Sequence, residues 1–391
     1  MKILLITNSL SGGAGKACLR LFHALESNNQ NVKLLYLEGA TTRNKNIIPF
    51  YKSVRKLFLK QILNTPYSIL NRIFLGIYNT NYRSPNSYHN LEKHSLIKWA
   101  DVINLHWVPD FVDYPRFFNL KQKKVIWTLH DMLPFSGGFH YNMEKNKPNI
   151  IIEKKIEKQK IKALKDSSLK IIAPSRWLTS ISKKSQVFSN FEHRHIFNPL
   201  PLSIFKPVDK LIARRILNLP EEGKIIAFSA DSITSKRKGM KLLVSAFKLI
   251  EDLKITLVSI GRGEIQQNLT QNYIHLGSLR DDYTISLLYS AADLSVVSSL
   301  EDNSPNTIIE SLACGCPVIG FNIGGIPELI FSDKMGVLVT EHNSEGLANA
   351  IRKGFISEYS VKFIRNFIKQ ECDYKIVAER YLEEFKNFIN E

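Results

Sequence analysis

Short runs of Ile, Leu and Val recur along the chain at 2–7, 32–37, 102–106, 125–130 and 169–173. Each is four to six residues long and bounded by polar or turn residues. Such runs predict strands buried on both faces in βαβ units. The segment 15–27 between the first two reads as a helix. The pattern breaks at Asn198-Pro199-Leu200-Pro201, where three prolines by Pro207 and nearby basic residues predict a linker. It then restarts, with strands expected at 224–229, 254–260, 273–276, 294–297, 318–321 and 336–339, and helices at 239–251, 283–292, 306–313 and 344–354. The chain therefore reads as two doubly wound α/β domains, 1–198 and 199–374, with a C-terminal helix at about 375–391 packing back on the first. Ligands of open α/β sheets bind beyond the carboxyl ends of the strands, so two such domains predict a central cleft.

Composition narrows the class. Among 391 residues, 44% are hydrophobic and 23% charged, which excludes collagen-like and wholly disordered chains. No run of about 18 apolar residues predicts a membrane span. The N-terminal run is too short for a secretory leader, and Cys18, Cys314, Cys316 and Cys372 fit neither a disulfide framework nor a zinc pattern. A cytoplasmic protein without a bound metal is expected.

Charge changes the picture more. The net charge is +17, of which residues 1–200 carry +19 and residues 201–391 carry −2. The asymmetry predicts a polyanionic partner for the first domain, nucleic acid or an anionic membrane leaflet, unless the lysines only solvate its faces. In the stretch 50–78, Lys52, Arg55, Lys56 and Lys60 alternate with Val54, Leu57, Phe58, Leu59, Ile62 and Leu63. A helix of that kind can lie in a membrane interface with its cations toward lipid phosphates. The Lys-rich run 154–170 contains Glu157, with Glu153 just before it, and reads as a plain surface helix.

Several segments carry candidate chemistry. Gly12-Gly13-Ala14-Gly15 follows the first strand and opens the first helix, where backbone amides can approach an anion. It is neither a Walker A loop nor a dinucleotide fingerprint, and a tight turn is the other reading. His106 and His130 each end a strand, where an imidazole can donate to a hydroxyl or take a proton. Asp131 either orients His130 or turns the loop. Ser136-Gly137-Gly138-Phe139-His140-Tyr141 is a close-approach loop for a sugar ring or a surface turn.

The segment 298–315 is the most specific. Ser304 as N-cap and Pro305 at the first helical position predict a helix whose amides, from Asn306 and Thr307, cradle an anion. Asp302 lies before that helix and Glu310 along it. Amides for a diphosphate and two carboxylates for ribose and sugar hydroxyls suit a nucleotide sugar. Lys236-Arg237-Lys238-Gly239 adds cations for a diphosphate leaving group.

Together these residues resemble family 4 glycosyltransferases of the GT-B fold, two Rossmann-like domains facing a central cleft. The resemblance runs in order through Gly12–Gly15, His130, Lys238-Gly239, Gly261-Arg262-Gly263, His275-Leu276-Gly277 and Tyr289-Ser290-Ala291-Ala292-Asp293-Leu294. It continues through the 302–310 acidic pair and Cys314-Gly315-Cys316-Pro317-Val318 to Gly324-Gly325-Ile326-Pro327-Glu328. The Trp-Thr-Leu-His-Asp segment, with its later Gly-Gly-Phe-His-Tyr, resembles a bacterial subgroup of exopolysaccharide, capsule or O-antigen assembly.

The resemblance implies retaining transfer from a nucleotide sugar, without metal or other cofactor. It implies that Glu310 binds ribose, that Lys238 with Arg237 binds phosphate, that Gly261 belongs to the donor site, and that His130 lies beside donor sugar and acceptor. The glycine loop and His106 fall to the acceptor side. Asp302 stands where the family has the first Glu of a Glu-x7-Glu pair, so Asp302 or Glu301 takes that role. Asp231-Ser232 replaces the family's Gly-Arg-Leu. The implied partners are a nucleotide sugar, a glycan or lipid-diphosphate-linked acceptor and the anionic inner-membrane surface, with the protein peripheral at the cytosolic face and no nucleic acid bound. The alternatives are a GT-B nucleotide-sugar epimerase and a nucleic-acid or partner-binding protein on a degenerate scaffold.

Overall fold

The buried aliphatic runs form two all-parallel sheets in a computed structural model that describes residues 1–38, 42–52, 69, 73, 82–144, 150–265, 272–279 and 281–391. The chain divides into one unit of Met1–Phe197 with Val377–Glu391 and a second of Asn198–Ile376.

The first unit holds β1 (Lys2–Thr7), β2 (Asn31–Glu38), β3 (Ile47–Tyr51), β4 (Val102–Leu105), β5 (Lys124–Thr128), β6 (Leu169–Ala173) and β7 (Glu192–His195). Their order is β3-β2-β1-β4-β5-β6-β7, all parallel. Ile3, Leu4, Leu5 and Ile6 of β1 are wholly buried, as a strand covered on both faces requires. The two strands that apolar runs did not announce are the edges. β3 contains Pro49, which an edge tolerates. β7 reads Glu-His-Arg-His and has no aliphatic residue. It is held by its ladder to β6 and by buried Lys170, which pairs with Glu192 and Glu384.

Helix Gly12–Ser27 buries Ala17, Cys18, Leu21, Phe22 and Leu25, a single stripe at helical spacing. Helix Tyr374–Asn390 packs Val377, Ala378, Tyr381, Leu382, Phe385 and Phe388 inward in the same way. Its Tyr381 hydroxyl meets Thr128 Oγ1 at 3.1 Å, and its Glu384 reaches Lys170 and Arg194 of the sheet. The Lys-rich run is helical over Ile150–Leu164, and its last two positions, Leu169 and Lys170, belong to β6. Most of the basic-apolar stretch 50–78 lies outside the described residues.

The second unit holds β8 (Lys224–Ser232), β9 (Ile255–Arg262), β10 (Tyr273–His275), β11 (Leu294–Val297), β12 (Val318–Phe321) and β13 (Gly336–Val339), ordered β10-β9-β8-β11-β12-β13 and parallel. Strand order reverses direction between β1 and β4 in the first unit and between β8 and β11 in the second. Such switch points leave a crevice at the strands' carboxyl ends, where open α/β sheets bind ligands. Among the described residues no helix is long and apolar enough to cross a membrane, and all four cysteines are buried thiols.

Candidate functional site

Three loops of the second unit meet at its switch point. The loop after β8 carries Arg237, Lys238 and Gly239; the loop after β11 carries Glu301 and Asp302; the loop after β12 carries Gly324 and Gly325. Backbone contacts join them. Ser298 Oγ donates to Lys238 O at 3.0 Å, Leu300 N–H to Arg237 O at 2.8 Å, and Gly325 N–H to Asp302 O at 3.2 Å. Gly239 and Gly324 both have positive φ, at +70° and +60°. A Cβ on Gly324 would lie 2.0 Å from Asp302 O, so only glycine lets that loop come so near.

The closure brings Lys238 Nζ to 2.5 Å from Asp302 Oδ2, with Arg237 at 3.4 Å from the same oxygen. Ser299 Oγ also donates to Oδ2, and the Asn303 amide to Oδ1. Burial pushes the Asp302 carboxyl up, but Lys238, Arg237 and these donors outweigh it and hold it at about 2. Burial pulls Lys238 below the usual lysine range, against the attraction of Asp302. Arg237 Nη1 donates to the carbonyl of Glu301 at 2.8 Å, and Glu301 is itself buried. The two carboxylates before the helix are thus not equivalent: Asp302 neutralises the cations, whereas Glu301 offers them its backbone.

Helix Asn306–Ala313 has the expected span, but its cap is not the expected one. Pro305, at φ −62° and ψ 118°, is the N-cap, and no side chain caps the helix. The expectation that Ser304 caps it is corrected: Ser304 Oγ is buried without a hydrogen-bond partner. Asn306 accepts from Asn198 Nδ2 at 3.0 Å through its side chain, and Asn306 and Thr307 form the half-buried first turn. Glu310 is buried on the next turn, close enough that its charge adds to burial in raising Tyr289 and Cys314.

Gly261 serves the fold. Its φ is +141°, a Cβ there would lie 2.0 Å from Ala230 O, and its amide donates to Gly277 O at 2.9 Å. Asp231, in the place of the family's Gly-Arg-Leu, is exposed and paired with Arg262.

In the first unit, Gly15 is taken by the turn: a Cβ would meet Ser9 O at 2.4 Å. Gly12, at φ +73°, has open space around it, and Gly13 follows it into the helix. His106 and His130, just beyond β4 and β5, bond to each other, Nδ1 to Nε2, at 3.0 Å. Neighbours fix the direction of that bond. Asn104 Nδ2 donates to Ile126 O and Thr128 Oγ1, so its Oδ1 faces His106 Nε2 at 2.9 Å and accepts from it. His106 Nδ1 then accepts from His130 Nε2–H. Burial, with His130 beside it, pushes His106 well below the usual histidine range. Burial lowers His130 to about 4 against the pull of Asp131. Both rings are neutral at pH 7, and His130 carries its proton on Nε2.

Asp131 turns the loop and does not hold His130. Its Oδ1 accepts from the Leu133 amide at 2.9 Å, and its Oδ2 from Trp107 Nε1 at 3.0 Å and His140 Nδ1 at 2.7 Å. Burial raises its carboxyl, but His140 and these donors bring it below the ordinary value. The Gly137-Gly138 pair makes its close approach to protein. A Cβ on Gly137 would lie 2.6 Å from Glu153 Cα, and one on Gly138 would lie 2.8 Å from Ile156 Cδ1. The loop is buried against helix Ile150–Leu164, so it is neither a surface turn nor an open sugar platform.

Residues 223–355 match the family model described as "Glycosyl transferases group 1". This segment is similar to group 1 glycosyltransferase domains. The chain is 29% identical over 162 residues to a D-inositol 3-phosphate glycosyltransferase of Mycobacteroides abscessus, covering 38% of this chain and 36% of that protein. It is 24% identical over 193 residues to an uncharacterised glycosyltransferase of Methanocaldococcus jannaschii, covering 46% and 48%. The chain thus spans between about a third and a half of the length of these curated relatives. The fold as a whole is that of GT-B glycosyltransferases. A sucrose-phosphate synthase from Thermosynechococcus elongatus superposes with a TM-score of 0.74 at 18% identity over 100% of this chain and 99% of its own. HepE of Anabaena in complex with UDP-glucose does so with a TM-score of 0.69 at 17% identity over 99% and 100%.

The matched segment contains every second-unit residue expected in the donor site, and Arg237, Lys238 and Asp302 come together in it. Sequence reasoning passed over Ser299, Asn104 and Lys160. Asn104 had a signal, since it lies two residues before His106 and therefore on the same side of the strand. Ser299 and Lys160 had none.

Proposed function

We propose that the chain is a retaining glycosyltransferase that moves a sugar from a nucleotide-sugar donor to a glycan or lipid-diphosphate-linked glycan in surface polysaccharide assembly. The observation that carries this reading is the Arg237–Lys238–Asp302 cluster at the switch point of the segment similar to group 1 glycosyltransferase domains. Two cations already balanced by a carboxylate can exchange that partner for a diphosphate. Charge on the departing diphosphate would be stabilised by Arg237, Lys238 and the Asn306 and Thr307 amides, without a metal. Glu310 is assigned to the ribose and His130, neutral with its proton on Nε2, to the sugar and acceptor. Asp302, held by both cations, is the resting counter-charge, and Glu301 is assigned to the sugar. The solved HepE complex with UDP-glucose supports a nucleotide sugar as donor.

The +19 charge of the first 200 residues supports an anionic acceptor or membrane face. The D-inositol 3-phosphate in the relatives' names supports a phosphorylated acceptor in the same way. Flotation with neutral and anionic liposomes tests the membrane part, and equal binding to both would sink its electrostatic basis.

Thermal-shift binding of UDP, GDP, ADP and their sugar conjugates, with Glu310→Ala as control, tests the donor. A ligand at a hundred times its Kd adds about 2.7 kcal/mol. Stabilisation by one nucleotide series that is lost in the variant is expected. No shift with any of them would move the weight to nucleic-acid binding on a degenerate scaffold.

A further inference from the structure

Helix Ile150–Leu164 carries a lysine that none of the chemistry above uses. Lys160 is 1% exposed. Burying an ammonium costs several kcal/mol unless its hydrogen bonds are made. Lys160 Nζ makes them to two carbonyls of one turn, Leu133 O and Ser136 O, the second at 2.8 Å. It also lies 5.8 Å from the centre of the Tyr114 ring.

That turn is the continuation of His130. Met132 O accepts the amides of Phe135 and Ser136, Met132 N–H donates to His140 O, and Asp131 binds Leu133 N–H and His140. Gly137 and Gly138 press the rest of the loop onto the same helix. Lys160 therefore draws the middle of the loop down at the point between its two other anchors. It lines, with His106, Trp107, His130 and Asp131, one cavity of about 20 Å³.

We propose that Lys160 is a positioning residue for His130: by holding the Leu133 and Ser136 carbonyls it keeps the loop closed so that the His130–His106 hydrogen bond forms. The proposal goes beyond the transferase reading and depends on it only for the use to which His130 is put. The charged and titratable groups facing Lys160 are Glu157 on its own helix, Asp131 on the loop and Tyr114 beneath it, with His106, His130, Arg83 and Asp110 on the cavity wall. Burial brings the lysine down to about 7, while Glu157 and Asp131 oppose the change. Its charge is complete below that pH and fades above it.

The test needs no donor. The full chain, labelled with [15N]histidine, is followed by NMR as wild type, Lys160→Arg and Lys160→Met, with His130→Gln to assign the shared Nε2–H signal. At pH 6 the signal is expected in wild type and in the Arg variant, whose guanidinium keeps donors for both carbonyls. In a folded Met variant it should be missing. An unchanged signal in the Met variant overturns the proposal. If the Met variant does not fold, Lys160→Gln decides the matter by the same signal, and an unchanged signal there also overturns the proposal. Failure to bind any nucleotide leaves these outcomes untouched, so the two readings fail separately.

Discussion

Gly239 lies so close to the carbonyl oxygen of Ser298 that a Cβ at position 239 would sit 1.9 Å from it. The contact closes the β8 loop on the end of β11, which is what brings Lys238 to Asp302. Gly239→Ala must therefore adopt a left-handed conformation at φ +70° and also push the two loops apart. The first effect costs about 1 kcal/mol and the second about 1–3 kcal/mol. Urea unfolding should show a loss of about 2–4 kcal/mol, and any nucleotide-induced thermal shift should shrink with it. An unchanged urea midpoint would mean that the loops do not need this contact.

Asp302 should give the protein an acid-sensitive increment of stability. Its folded value, about 2, lies below that of an unfolded aspartate. The increment is therefore present above about pH 4 and is lost as pH falls through 2. The shift corresponds to about 2 kcal/mol. Asp302→Asn should be less stable than wild type by about that amount at pH 7, and the difference should close toward pH 2. Paired urea titrations at pH 7 and near pH 2.5 check this; a gap of constant size would show that Asp302 gains nothing from Lys238 and Arg237.

How much was legible follows from what each residue depends on. Interior strands are buried on both faces, so aliphatic runs announce them, as in β1 and β11. Edge strands depend on a neighbour's ladder, and β7 reads as Glu-His-Arg-His without one. Lys238 and Asp302 could each be read as residues of loops that follow a strand, and the structure brings their side chains together. The helix cap was misplaced, since Ser304-Pro305 satisfies a capping rule that the packed loop does not use. Gly137-Gly138 shows the same limit: paired glycines signal a close approach, but only the fold shows that a helix is what approaches.

Ser304 offers a direct check on that misplacement. A hydroxyl capping a helix is worth about 1 kcal/mol. A buried hydroxyl without a partner carries an unpaid desolvation cost instead. Since Ser304 Oγ is of the second kind, Ser304→Ala should leave stability within about 0.5 kcal/mol of wild type or raise it. A thermal melt showing a loss of more than about 1 kcal/mol would restore Ser304 to the N-cap.

The neutral histidine pair sets the last expectation. Burial keeps His130 at about 4, below the value of a histidine in the unfolded chain. The unfolded state therefore takes its proton first as pH falls. Stability from this group is full above about pH 6.5 and declines between there and pH 4. His130→Gln has no proton to take, so its stability should fall less over that interval. The relay predicts more than a pH slope. Asn104→Leu removes the acceptor of His106 Nε2–H, and a buried donor left unmatched costs about 1–3 kcal/mol. With that anchor gone, His106 can hold its proton on Nδ1, where it no longer accepts from His130. Histidine 15N shifts in Asn104→Leu should show that tautomer, together with the stability loss. If His106 keeps its Nε2–H form in the variant, Asn104 is not what orients the pair.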